Sequence, residues 1–373
     1  MGDYHFFYGT LCHLPLLARV AGRQLDAVAA ELPDYAARIA CDGRGALSYP
    51  LIVPASGERV PGLLVELDPE TAARVDFYEM GFTPKTLTVR HGGGETAART
   101  YVPGAGLTPG EPWDFARWRA QWGDVVTEAA AEFMALRGHS PAQAASARYP
   151  RILARAASRL RARVPGPHSL RRDCAEGDVQ VEAMETGYAK FFAVEDYTLR
   201  HRRFSGGMMG PIIRAAFVSS DAAVVLPYDP VRDRVLLIEQ FRAGPMARGD
   251  ANPWLLETVA GLVDGGETPE ETALREAGEE AGVAISRLVP GPSCYASPGA
   301  KTEYLYTYIG IADLHDGAAR PGGLEAEGED IRPHLVSFER MMELLDTGEI
   351  DNAPLVILAL WLARHRAALR AGA

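Results

Sequence analysis

A glycine-rich loop runs straight into an acidic helix between residues 261 and 283, where the chain reads GLVDGGETPEETALREAGEEAGV. Glycine accepts positive φ and lets the backbone approach a ligand closely, so the loop is suited to a tight site. The helix start is marked three times. Thr268 is placed to N-cap, Pro269 fits the first helical position, and Glu271 closes a capping box. Gly282 supplies the C-terminal stop. Within the helix Glu276, Glu279 and Glu280 stand at i, i+3 and i+4 and share a face, with Ala273, Ala277 and Ala281 as a narrow apolar stripe opposite. Like charges at this spacing repel, and Arg275 is the one base inside the cluster. A solvated acidic face would account for the carboxylates taken alone. A hard divalent cation would relieve them better, because carboxylate oxygens suit Mg²⁺, with Mn²⁺ as a substitute.

A chain of 373 residues is long enough for two domains, and 47% hydrophobic with 23% charged residues is the balance of folded globular proteins. The start lacks a basic leader region, and the longest apolar stretch, 353–363, is too short to span a bilayer, so neither export nor membrane insertion is expected. Cys12, Cys41, Cys174 and Cys294 lie far apart without metal-ligand spacing, which fits a reduced cytoplasm. A net charge of −11 argues against a nucleic-acid partner, since such binding draws on lysine and arginine. An anionic small molecule would then need local help from a metal ion or a few placed arginines.

The texture changes near the middle of the chain. Residues 1–110 carry short β-type runs at His5–Tyr8, Pro61–Leu67 and Thr86–Arg90, followed by helical patterns over Trp113–Leu136 and Tyr149–Val164. The second of these bears Arg151, Arg155, Arg159, Arg161 and Arg163, read as a solvated helix face rather than an anion-binding stripe. Pro165-Gly166-Pro167 breaks it, which divides the chain into a domain at 1–165, a linker at 166–176 and a second domain at 177–373. There Ala222–Leu226 and Val235–Phe241 flank YDPVRD as a hairpin, and helices are expected at Phe338–Leu345 and Ala353–Leu369.

The string at 261–283 is similar to the signature of the Nudix hydrolases, GX5EX7REUXEEXGU with U aliphatic. Gly261, Glu267, Arg275, Glu276, Glu279, Glu280 and Gly282 match every fixed position, with Ala277 and Val283 in the aliphatic places. The resemblance implies an α/β/α sandwich with a mixed sheet and hydrolysis of a nucleoside diphosphate linked to another group. By position it makes Glu276 and Glu280 metal ligands, Glu279 a metal or water contact, Arg275 the orienting partner of the carboxylates, and Glu267 a support of the loop or an outer contact of the metal.

Around this string the chain resembles the ADP-ribose pyrophosphatase branch. The likeness is carried by IEQFR at 238–242, PWLLETVAG at 253–261, Ser297-Pro298-Gly299 with its marker proline Pro298, EGEDIRPHLVS at 327–337 and GEIDNAPLVILALWL at 348–362. It implies that ADP-ribose is cut to AMP and ribose 5-phosphate. It also makes the Ala260 carbonyl and Glu329 further metal ligands and Glu327 the general base. Phe191 would stack on adenine, Arg214 and Arg242 would meet phosphate and ribose, and Glu257 would contact substrate. In the relatives the strands that here read FFAVEDYTLRHRRF are exchanged, which implies a homodimer. Hydrolysis of another nucleoside diphosphate sugar, or a sensor that binds ADP-ribose without cutting it, would be the alternatives.

FFYGTL at 6–11 and GLLVELDPETAARVDFYE at 62–79 resemble the gamma-glutamylcyclotransferase-like (AIG2-like) family, which implies a small β-barrel with helices for the first domain. There the loop Tyr8-Gly9-Thr10-Leu11 would hold a substrate carboxylate on backbone N–H groups and Glu79 would be the acid/base that releases 5-oxoproline. After Glu79 the chain reads MGFTPKTL, and Phe82 offers no hydroxyl where relatives often place a tyrosine. Weak or absent 5-oxoproline release is therefore expected, a bifunctional enzyme being the alternative.

Overall fold

The computed structural model describes residues 3–43, 45–167, 169–323 and 328–372. The chain divides into two compact units between Arg163 and Val164.

The first unit is a closed five-stranded barrel with helices. Strand Asp3–Phe7 pairs antiparallel with Gly45–Leu67 and parallel with Gly94–Pro103, which pairs in turn with Phe82–His91. Strand Ala27–Asp42 completes the ring by pairing with both Phe82–His91 and Gly45–Leu67. A two-residue period along the first strand sorts its side chains. Phe6 and Tyr8 point into a barrel core with Leu32, Ile52 and Leu64, whereas Phe7 joins Leu16, Trp118, Phe133 and Ile152 under the helices.

Helices Phe115–Ala135 and Tyr149–Ala162 account for the arginine-rich stretch differently from a solvated face. Arg155 is 3% exposed and bonds Glu132, while Arg159 reaches Glu128 and Glu132, and Arg163 reaches Glu128. The charges knit two packed helices together, because glutamates on the facing helix compensate them. That pairing joins residues more than twenty positions apart, out of reach of a local pattern.

In the second unit a mixed sheet is covered on both faces. Strand Ala222–Asp229 pairs antiparallel with Arg234–Phe241 as the expected hairpin, and parallel with Tyr304–Ala312. It is buried along its whole length, and alternation decides which layer each residue serves. Val224, Leu226 and Tyr228 pack against helices Phe338–Thr347 and Ala353–Ala371, whereas Ala223 and Val225 pack against helix Pro269–Ala281 through Ala273, Ala277 and Ala281. A separate antiparallel sheet of Val179–Ala189, Ala193–Arg202 and Met208–Val218 leaves Val181, Met184, Phe191 and Ile213 exposed. Among the described residues no helix is long and apolar enough to cross a membrane.

Candidate active site

The signature helix begins as its sequence requires. Thr268 accepts from the Glu271 N–H, the Glu271 carboxylate reaches back to the Thr268 N–H, and Gly282 ends the helix at φ 66°. The loop glycine Gly261 serves another purpose than positive φ. A Cβ there would lie 1.8 Å from Glu276 Oε1, so a bare backbone at this point is what lets the helix carboxylate lie against strand Val259–Leu262.

Arg275 is the organiser of the cluster. Its guanidinium holds Glu267 through two bonds of 2.8 and 2.9 Å, and donates at 2.8 Å to both Glu276 and Glu279. The paired bonds to Arg275 hold the Glu267 carboxyl below its ordinary range, aided by Thr272. Glu280 is treated differently. It is 2% exposed and its carboxylate accepts from the Ala260 N–H at 3.0 Å. Burial pushes it up to about 8, the neighbouring Glu276 and Glu329 add to the rise, and the Ala260 bond and Arg242 oppose it. Burial likewise raises Glu276.

Ala260 thus meets the cluster through its N–H, and its carbonyl is the group that the resemblance makes a metal ligand. Among the described residues no three acidic, His or Cys side chains converge on one point at cation-holding distance. The carboxylates instead take internal partners, as mutually repelling groups do. The donor set nonetheless fits a hard cation: buried Glu280 and partly buried Glu276, both raised by desolvation and by the charge of Glu329, are carboxylates that a cation would relieve.

Glu327 lies outside the described residues. The segment before it is tied to the signature helix by two glycines. The Gly323 N–H donates to the Glu279 carbonyl, and a Cβ on Gly322 would lie 2.1 Å from the Glu280 carbonyl oxygen.

Beside the cluster, Arg242 bonds the Glu257 carboxylate at 2.9 and 2.7 Å, and buried Gln240 donates to the same oxygen at 3.1 Å. Burial opposes the Arg242 charge, and the Glu257 bond together with the charges of Glu257, Glu280 and Glu329 more than offsets it. Phe191 and Arg214 are elsewhere, on or beside the three-stranded sheet. Phe191 is half exposed and meets Phe192 edge-on at 4.7 Å, which takes it out of the core. Arg214 is exposed and donates to the Ile213 carbonyl. Pro298 sits in a turn whose Ala300 carbonyl receives the Phe217 N–H at the end of that sheet.

The first unit holds a cavity of about 340 Å³ lined by Tyr8, Gly9, Thr10, Leu11 and Glu79 together. Gly9 is again a matter of close approach, because a Cβ would come within 2.6 Å of Pro50. Glu79 caps the end of helix Pro69–Tyr78, and burial raises its carboxyl to about 7. Burial also pushes the Cys12 thiol up to about 12, so it offers no thiolate. Phe82 packs edge-on to Tyr49, and three phenols that the sequence reading missed, Tyr49, Tyr78 and Tyr149, line the cavity with it.

The Glu79 shift has a stability consequence. With the folded carboxyl at about 7 against an ordinary 4.5, its protonated form stabilises the fold below 4.5, and this contribution is lost as pH rises through about 7. Glu79→Gln is expected to melt above the parent at pH 8 and level with it at pH 4.5. A gain of equal size at both pH values would exclude this environment for Glu79.

Comparison with known proteins agrees with both halves. The NUDIX domain family model matches residues 219–358, and the model described as gamma-glutamyl cyclotransferase, AIG2-like matches residues 5–120. An ADP-ribose pyrophosphatase of Escherichia coli (strain K12) is 43% identical over 204 residues, 55% of this chain and 97% of that protein. One of Haemophilus influenzae is 36% identical over 198 residues, 52% of this chain and 91% of that protein. A GDP-mannose pyrophosphatase of Enterobacter sp. (strain 638) is 34% identical over 149 residues, 40% of this chain and 76% of that protein. Sheet, helix and carboxylate cluster define a hydrolase of the phosphoanhydride-cleaving kind. The chain belongs to the Nudix hydrolases through its second unit, and its first unit is an AIG2-like domain.

Proposed function

We propose that the second unit hydrolyses the diphosphate of ADP-ribose to AMP and ribose 5-phosphate with the help of Mg²⁺. The observation that carries this reading is the interlock of loop and helix, in which Gly261 and Ala260 press against Glu276 and Glu280 and leave two desolvated carboxylates beside Glu329. Glu276, Glu280 and Glu329, with the Ala260 carbonyl, are the groups that would hold the cation. When bound, the metal would polarise the diphosphate and acidify a water. Arg275 keeps Glu276 and Glu279 oriented, and Arg242, fixed by Glu257 and Gln240, presents a planar cation to an anionic substrate. Glu327 is assigned the proton-accepting role by its sequence position.

Phe191 and Arg214 complete the substrate pocket from a second copy. The exposed apolar residues of their three-stranded sheet support this, since Val181, Met184 and Ile213 have the character of an interface waiting for a partner. Four free cysteines suit a reducing cytoplasm. A panel of nucleotide sugars with Mg²⁺ tests the assignment: AMP release from ADP-ribose should exceed turnover of GDP-mannose by about tenfold or more. A preference for GDP-mannose would overturn it.

A second reading is favoured by the first-unit cavity, where Glu79 titrates near neutrality among phenols. A carboxyl poised there can take a proton from an amine and return it to a leaving group. This unit would then release 5-oxoproline from γ-glutamyl amides, and Glu79→Gln should abolish the release at pH 8. Release unchanged in that variant would exclude Glu79 as the acid/base.

A further inference from the structure

The AIG2-like match ends at residue 120, yet the wall of the first-unit cavity does not. Val126 and Phe133 of helix Phe115–Ala135, Ser146 of the short helix Ala142–Ser146, and Tyr149 at the start of the next helix all line it. They are held firmly. Phe133 meets Tyr149 edge-on at 5.4 Å and Tyr78 edge-on at 5.8 Å, and the Tyr78 and Tyr149 hydroxyls stand 3.5 Å apart. The Arg155–Glu132 and Arg159–Glu128 pairs clamp the two long helices together just beyond. None of the first-unit charges lines the cavity except Glu79: its described walls contain no lysine, arginine or histidine.

The geometry points to the helical extension, residues 115–162, as the specificity wall of this cavity, with Tyr149 as the residue that limits the size of group admitted beside Glu79. This rests in part on the second reading above, because that reading supplies the ligand: a γ-glutamyl amide whose amine substituent has to fit between Glu79 and the extension. A cavity of about 340 Å³ is at the small end for ligand sites, so it takes a compact substituent and refuses a bulky one. The rigid ring of Tyr149, packed on Phe133, cannot swing aside without breaking that contact. Its hydroxyl and that of Tyr78, 3.5 Å apart, are polar groups in this wall.

The test has a readout that needs no turnover. In the full chain carrying Glu79→Cys, the thiol is labelled with methyl methanethiosulfonate and with its benzyl counterpart, and modification at position 79 is followed by peptide mass spectrometry. The parent wall should pass the methyl reagent and slow the benzyl reagent. Adding Tyr149→Ala should raise the benzyl-to-methyl rate ratio by about tenfold, whereas Tyr149→Phe, which keeps the ring, should leave it unchanged. A ratio unmoved by Tyr149→Ala overturns the inference. If that variant does not fold, Ser146→Leu fills the same wall and should slow even the methyl reagent about fivefold or more, and no slowing overturns it equally. In parallel, 5-oxoproline release is measured without the Glu79 change, from γ-glutamyl methylamide and γ-glutamyl benzylamide. If neither is turned over while the labelling ratio moves, the cyclotransferase reading fails and the wall stands. If methylamide and benzylamide are turned over alike with the ratio unmoved, the reading stands and the wall fails.

Discussion

Replacing Glu280 with glutamine is expected to lower Mg²⁺-supported release of AMP from ADP-ribose by about a hundredfold or more, since even outer partners of a metal site cost 10- to 100-fold when lost. The reasoning separates activity from folding. Glutamine keeps the side-chain length, and its amide oxygen can accept from the Ala260 N–H as Glu280 does now. What disappears is the capacity to offer a cation a negative charge, in a buried place already crowded by Glu276 and Glu329. The melting temperature in chelator should therefore not fall, while the affinity for Mn²⁺, followed by electron paramagnetic resonance, should weaken together with turnover. Activity within about twofold of the parent would remove Glu280 from the metal site, as ordinary surface changes produce effects of that size. A large loss of melting temperature would instead mean that the carboxylate is a structural element.

Gly261→Ala carries the second large effect, this time on both quantities. The added methyl would stand 1.8 Å from Glu276 Oε1 and 2.2 Å from its carboxyl carbon, a clash relieved only by moving the strand or expelling Glu276 from its place beside Arg275. Overpacking of this kind costs about 1–3 kcal/mol, and a displacement of about 1 Å at a reacting site costs about a hundredfold in rate. Thermal unfolding and AMP release measured on the same preparation should both drop. The double variant Gly261→Ala with Glu276→Ala should recover melting temperature without recovering activity, because the clash is gone but so is the carboxylate. If Gly261→Ala is as stable and active as the parent, close approach is not why glycine stands there.

The signature helix was readable because its information is local. Thr268, Pro269, Glu271 and Gly282 mark its ends through contacts within one helical turn, and the structure reproduces each of them. The face shared by Glu276, Glu279 and Glu280 follows from helical periodicity alone. The hairpin at Ala222–Phe241 and the terminal helices were legible for the same reason, being spelled in alternation and in turn residues. Less of the surroundings could be read. Arg155 looked like a solvent-facing charge until Glu132, on another helix, was seen to bury it. Gln240 carries no motif, and its bond to Glu257 depends on two strands lying side by side.

The sequence by itself determined the chemistry available to each half: a cluster of carboxylates with one organising arginine in the second, and a loop with a lone glutamate in the first. Tertiary structure decided what those groups are worth. Glu280 and Glu79 are ordinary carboxylic acids in the sequence, and burial above all raises them, to about 8 and about 7. It also decided that Tyr149 reaches Glu79's cavity from seventy residues away, and that Gly261 and Gly322 are glycines because carboxylate and carbonyl oxygens press against them. The physical reason is common to all of these. Helix ends and periodic faces are set by neighbours a few positions along the chain, whereas desolvation and close approach depend on which distant segments the fold packs together.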